Sequence, residues 1–440
     1  PGQLPAQDEG RAKRKKVGIH HSPSAIQQEM ISSRDRDILR ALAEQYMAFC
    51  QSEANQQKIA MWRDLNSMRK CRPLVQCNCS LLWGEISPHL PEHRVDSDEL
   101  RGVERWFHCR QWEQTLGDDR VFYPWYIVGA HMFRHPEGTW GVPLNKVRDA
   151  TSRGWRNMPV LKTMDDLVRL KATEHRVIDP DPPMAGKLRD IFGDILPVHI
   201  NRRTIYPLWG GTDLSEAPGA LFGLEELLCA LYTDPDMVHA FLAFTRDAVL
   251  ANLKQGEEAG DWSTVDHQNF GTPPYCDNLP DPTPNTHGAR LTDLCFFTHA
   301  QEFDAVSPKQ HEEFLLNYQR PIMELFGKVN YGCCDTLDTK LDLMRTIPNL
   351  GKILSGPLSD PGLYPERFGA DCVISWRPVA TIVSQPTFDE DAQRRKLREG
   401  LEKTRGCQVE LHMHEPMTVH NDIARIARWA EIAVQEAERV

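Results

Sequence analysis

Apolar and polar positions alternate most legibly in the last third of the chain. Residues 328–333 (KVNYGC), 352–355 (KILS), 372–376 (CVISW) and 408–414 (QVELHMH) are short runs rich in apolar and β-branched residues, each closed by Gly, Pro or a polar turn, which is how buried strands read. Between and after them the period changes to that of a helix. Leu337, Leu341 and Met344 share one face, 389–404 is a charged helix, and Ile423, Ile426, Ala427, Ala430 and Val434 give a final helix, about 418–438, a single apolar stripe. Strand and helix therefore alternate four times, which predicts parallel strands joined by right-handed crossovers. A doubly wound sheet or a (β/α)8 barrel would satisfy this pattern.

Earlier segments favour the barrel. Residues 72–79 (RPLVQCNC), 196–200 (LPVHI) and 261–266 (DWSTVD) read as further strands, making at least seven. A helical region over 34–69 precedes the first. Asp234-Pro235 opens a helix that runs to about 255, and Ser307-Pro308-Lys309-Gln310 is a capping box for a helix over 308–326. The expected architecture is an α/β (β/α)8 TIM barrel over 31–440 with an N-terminal helical layer, 31–70. The Pro- and Gly-rich stretch 271–290 is too long for a simple connector and is expected to line the active mouth.

Composition narrows the function. A formal net charge of −11 over 440 residues argues against nucleic acid as the main partner. The basic run 11–16 (RAKRKK) is the exception, and it reads as part of a disordered tail over 1–30. No apolar run is long enough for a membrane span, no apolar signal core opens the chain, and the twelve cysteines form no regular framework. The expectation is a cytoplasmic protein with reduced thiols.

Chemistry in a parallel barrel collects at the C-terminal ends of the strands. Those ends offer Cys77 and Cys79, His267, Tyr331, Cys333, Cys334, Asp335, Ser355, Asp360, Trp376, Arg377, His412 and His414. Thiols and imidazoles converging from distant strands make a reasonable Zn2+ site. Cys333 with His412 is the leading pair, while Cys334 and His414 compete for the same roles if a strand ends one residue differently. Trp376 and Arg377 are read either as an aromatic wall and a clamp for an anionic substrate or as structural residues. His267 and His299 are substrate-binding candidates or satisfied structural histidines. Asp335 is a helix cap or a functional carboxylate. Cys77 and Cys79 are read first as core packing.

The stretch "YGCCDTLDTKLDLMRTIPNLGKILSGPLSD" resembles the region of the uroporphyrinogen decarboxylase superfamily in which methyltransferase members carry His-x-Cys-Gly-Asp. The closing "HMHEPMTVHNDIARIARWAEIAVQEAERV" is similar to that superfamily's last strand and helix, and the likeness runs over about 190–438. It implies a (β/α)8 barrel and one of two chemistries, cofactor-free decarboxylation or zinc-assisted methyl transfer between a corrinoid protein and a thiol. Cys333 falls on the first zinc-binding Cys, Asp335 on the Asp after it, and His412 near the second zinc Cys. Tyr331 stands where the family has His, which leaves the third ligand to Cys334, Glu410, His414 or a strand-one cysteine and makes Tyr331 itself a catalytic candidate. The decarboxylases' arginine-rich turn has no counterpart in "RPLVQCNCSLLWGEI". The expected activity is therefore methyl transfer between a small substrate and a thiol or a cobalamin carried by a partner protein, in a chain that also forms a homodimer on the family's example. The alternatives are a decarboxylase or lyase acting on a small acid through Arg377, and a non-catalytic binding barrel.

Overall fold

The computed structural model describes residues 31–148, 155–206, 214–267, 271–369 and 371–440. The basic tail expected over 1–30 lies outside them. Six strands form one parallel sheet: β1 (Leu74–Cys77), β2 (Cys295–Thr298), β3 (Lys328–Tyr331), β4 (Leu350–Ser355), β5 (Val373–Trp376) and β6 (Val409–Met413). Their order is β1-β6-β5-β4-β3-β2, so the first strand lies against the last. The chain is thus a mixed α/β protein built on a parallel sheet, as the alternation predicts.

Register divides the sheet into two unlike faces. Leu74, Ser375 and Glu410 stand abreast, as do Gln76 with His412, and Phe297 and Lys352 with Asn330. Side chains alternate along each strand, so one face carries Gln76, Asn330, Lys352, Ser375, Glu410 and His412, all buried. The other face carries Val75, Val329, Tyr331, Ile353, Ile374, Trp376, Leu411 and Met413 and packs on the helices. Trp376 lies over Gly400 of the helix Glu390–Lys403, where a Cβ would collide with its ring. The Tyr331 hydroxyl donates to Gln319 Oε1 at 2.9 Å and lies 2.8 Å from His311 Nε2, both on the helical stretch that Ser307 caps. A parallel sheet is normally apolar on both faces, so a buried polar face here marks an interior reserved for something other than packing.

The N-terminal helices close one end of that interior. Trp62 of the helix Glu53–Asn66 clusters with Leu65, Leu74, Val121, Tyr275 and Val373, and Lys352 Nζ sits 5.2 Å from the centroid of the Trp62 ring. A second core joins the helix Ser33–Cys50 to the helices Asp98–Gln114 and Pro183–Phe192. The helical layer thus draws on segments well beyond residue 70.

Several expectations need correction. Segment 261–266 is not a strand: Ser263 makes an isolated bridge with His287, and Thr264–Asp266 is a 3-10 turn closed by a Ser263–Asp266 capping box. The strand Val198–Asn201 pairs with Tyr126–Gly129 in a separate two-stranded sheet rather than with the six. β2 was missed altogether. Only the first residue of the loop 271–290, Gly271, reaches the mouth, where its carbonyl accepts from Gln76; the rest lies elsewhere. Its backbone carbonyls at Pro273 and Tyr275 accept from Asn66 Nδ2 at 3.0 and 2.9 Å, and Thr272 meets Lys352, so it packs toward the N-terminal end of the sheet. Among the described residues no helix is long and apolar enough to cross a membrane.

Candidate metal and thiol site

β3 ends at Tyr331, and the next residue, Gly332, has φ +104°. That conformation is open to glycine and costly for other residues, and a Cβ there would also press on Leu337 and Leu354 at 3.1 Å. The turn breaks the strand's alternation. Cys333 and Cys334 consequently do not point to opposite faces: their sulfurs lie 3.8 Å apart. Asp335 holds this geometry. Its carboxylate accepts the Cys333 N–H at 2.5 Å and the Ala300 N–H at 3.2 Å, tying the end of β3 to the end of β2. It does not cap the next helix, which begins only at Leu341.

His414, just past β6, brings Nε2 to 2.9 Å from Cys334 Sγ. Cys333, Cys334 and His414 can each place a ligand atom within 4.8 Å of the others. Tetrahedral zinc separates two thiolate sulfurs by about 3.8 Å and a sulfur from an imidazole nitrogen by about 3.6 Å. The Cys333–Cys334 spacing already matches. The Cys334–His414 contact is a hydrogen bond that would open by about 0.7 Å around such an ion. Donor type and geometry therefore fit a soft divalent metal held by three protein ligands.

Electrostatics set the two thiols apart. The Cys334 thiol is held well below its usual range, first by the hydrogen bond from Cys333 and then by His414 and Arg377, against the opposing effect of burial. Cys333 is pushed up as the donor of that bond and by its burial. Arg377 is fully buried, and burial holds its guanidinium below the usual range, while both thiols and Glu410 favour its charge. His412 is driven well below its usual value by burial and then by Arg377, so it is a neutral imidazole.

The sequence candidates separate accordingly. Cys333, Cys334, Asp335, Arg377 and His414 come together. His412 lies beside His414, ring centroids 6.3 Å apart, but outside the ligand group. His299 is at the mouth, at the end of β2, with Nε2 3.5 Å from Glu216 Oε1. Tyr331 and Trp376 belong to the helix-facing side of the sheet, because strand alternation turns them away from the cluster. His267 lies at the far end of the sheet: its Nδ1 accepts the N–H of Cys295, the first residue of β2, at 3.0 Å, and burial lowers it to about 4. Cys77 is packed in the core, its thiol pushed well up by burial.

Sequence reasoning missed Gln76, Lys352 and Ser375. A signal was present: Gln76, Lys352, Ser375 and Arg377, and Glu410, His412 and His414 place polar side chains at every second position of runs that otherwise read as buried.

No family model matches the chain, and no curated protein matches it. Among solved structures it is similar to a methyltransferase from Methanosarcina mazei, with 10% identity, a TM-score of 0.47, and coverage of 87% of this chain and 98% of that one. A likeness of that degree carries no inference about activity.

Proposed function

We propose that the chain is a (β/α)8-type enzyme that transfers a methyl group between a thiol and a corrinoid carried by a partner protein, at a zinc site formed by Cys333, Cys334 and His414. The observation that carries this reading is the three-donor cluster, whose members come from two strands 80 positions apart and sit at the mouth of a buried polar interior. The contact between β1 and β6 and the plug supplied by Trp62 support a closed barrel. Zinc bound there would supply the Lewis acidity that keeps an acceptor thiol ionised near neutral pH.

The chain's own residues prepare that site. Asp335 fixes the turn that presents both sulfurs. Arg377, desolvated beside them, adds positive charge where thiolates gather, and neutral His412 lines the approach. Three protein donors would hold the zinc and leave room for the substrate sulfur to bind it. On this reading Cys334 and His414, both already candidates for the third ligand, serve with Cys333, and His412 and Tyr331 do not.

Elemental analysis of the purified protein tests the reading together with transfer from methylcobalamin to a thiol. About one zinc per chain is expected, lost in Cys334→Ala and in His414→Ala and retained in Tyr331→Phe, with methyl transfer lost in parallel. A folded, metal-free protein that is inactive with every thiol offered would overturn it.

A further inference from the structure

Beside the cluster, at the end of β1, lies a cavity of about 400 Å3 whose walls include Gln76, Glu113, Arg110, Arg120, His412 and Glu415. That volume is in the range of small-molecule sites. Gln76 is only 4% exposed. Its Nε2 donates to the Gly271 carbonyl, which fixes the orientation of the amide and leaves Oε1 at the other end. Oε1 is buried without a hydrogen-bond partner among the described residues. A buried amide oxygen without a donor is costly, and a ligand N–H would satisfy it. Gln76 is also the register partner of His412, two positions before the ligand His414, so this wall and the metal cluster share one strip of the interior.

The charges around the cavity are of both signs. Arg110 and Arg120 contribute two positive groups and Glu113 and Glu415 two negative ones on the wall, and the buried Asp118 carboxylate lies behind Arg120, 3.9 Å from its Nε. Glu113 already bridges the arginines, at 2.8 Å to Arg110 and 3.5 Å to Arg120. A simple anion would meet the glutamates and a simple cation the arginines; a ligand bearing both charges suits the pair. We propose that this cavity seats the zwitterionic head of an amino acid, its ammonium donating to Gln76 Oε1 and facing Glu415, its carboxylate facing Arg120. The amino-acid head is argued from the cavity alone. That it belongs to the acceptor thiol rests on the methyl-transfer reading above.

Calorimetric titration separates the two claims, with metal content measured on the same samples. The probes are L-homocysteine, its thioether L-methionine, which needs no metal for its head to bind, and 2-mercaptoethanesulfonate, a thiol with a purely anionic head. Both amino acids are expected to bind, and the sulfonate more weakly than L-homocysteine. Gln76→Met is expected to weaken both amino acids by roughly tenfold or more, the usual effect of losing a hydrogen bond to a charged group. Glu415→Gln, a change that keeps the side chain's size at a part-exposed rim position, is expected to weaken them several-fold and carries the test if Gln76→Met fails to fold. Unchanged amino-acid affinity in both variants, or a sulfonate affinity equal to that of L-homocysteine, overturns the proposal. Zinc present with neither amino acid bound overturns the subsite and leaves the metal reading standing. L-methionine binding that depends on Gln76 in a protein without metal does the reverse.

Discussion

Inside the sheet, Lys352 Nζ lies 2.5 Å from Glu410 Oε2, and the two side chains are only 6% and 2% exposed. Lys352 also donates to Thr272 Oγ1 at 3.0 Å, and Glu410 Oε1 accepts from Ser375 Oγ at 2.5 Å. Such a pair need not stabilise the fold relative to apolar residues of the same size, because removing both charges from water opposes their attraction. Breaking it is another matter: the surviving charge is left buried and unpaired, at a cost of about 3–5 kcal/mol. Glu410→Leu and Lys352→Met should each destabilise by that amount. The double variant should recover most of the loss, keeping about 1 kcal/mol for the Ser375 hydroxyl that loses its acceptor.

Urea unfolding of the four proteins closes the double-mutant cycle, with a coupling energy of several kcal/mol expected between the two sites. The slope of the transition must stay constant for the comparison to hold. Single-variant losses below about 1 kcal/mol, or losses that simply add, would mean that water reaches the pair or that it does not form. Either result would refute the burial of this pair beneath Trp62.

Two further tests address other parts of the fold. Gly400→Ala in the helix Glu390–Lys403 should stabilise by about 1 kcal/mol on helix propensity alone, but the added methyl would collide with the Trp376 ring; a net loss of about 1–3 kcal/mol in thermal or urea unfolding is expected, and a gain would show that Trp376 does not pack there. His267, lowered to about 4 by burial, is neutral in the folded protein, whereas the unfolded chain takes up its proton near pH 6.5. Its contribution is thus complete above about pH 6.5 and declines as pH falls toward 4, by at most about 1.4 kcal/mol per pH unit. His267→Asn, which keeps an acceptor for the Cys295 N–H, should flatten the fall in urea midpoint between pH 7 and 5 by about one proton, and parallel curves would refute the assignment.

The elements with strong local signals were legible in the sequence. Asp234 caps the helix Pro235–Glu258, Ser307 makes its capping box with Gln310, and four late strands lie within a residue or two of where periodicity put them. The failures have physical causes. Segment 261–266 alternates like a strand, but the Ser263 and Asp266 side chains satisfy the local backbone in a turn, which competes with a ladder. β2, Cys-Phe-Phe-Thr, was hidden because its run is only four residues long and follows a 3-10 turn. At the site, Cys333 and Cys334 could not be ranked from spacing because strand alternation would let only one of them face inward. The left-handed turn at Gly332 cancels that choice and admits both.

Tyr331 and Cys334 show what decides a site in such a sheet. Tyr331 occupies the position where the motif places a ligand, yet it is still within β3 and obeys the strand's alternation, so its hydroxyl goes to His311 and Gln319 in the helical layer. Cys334 is three residues further on and past the turn, free of that alternation, and it meets His414, which is likewise just past the end of β6. The candidate ligand set is therefore selected by where each strand stops pairing: residues inside the ladder are committed to a face, and residues one or two beyond it can converge. Gln76 and His412 remain inside the ladder and line the cavity as a fixed register pair. Under the proposed function, recognition falls to the rigid rows within the ladder and ligation to the strand ends just past it.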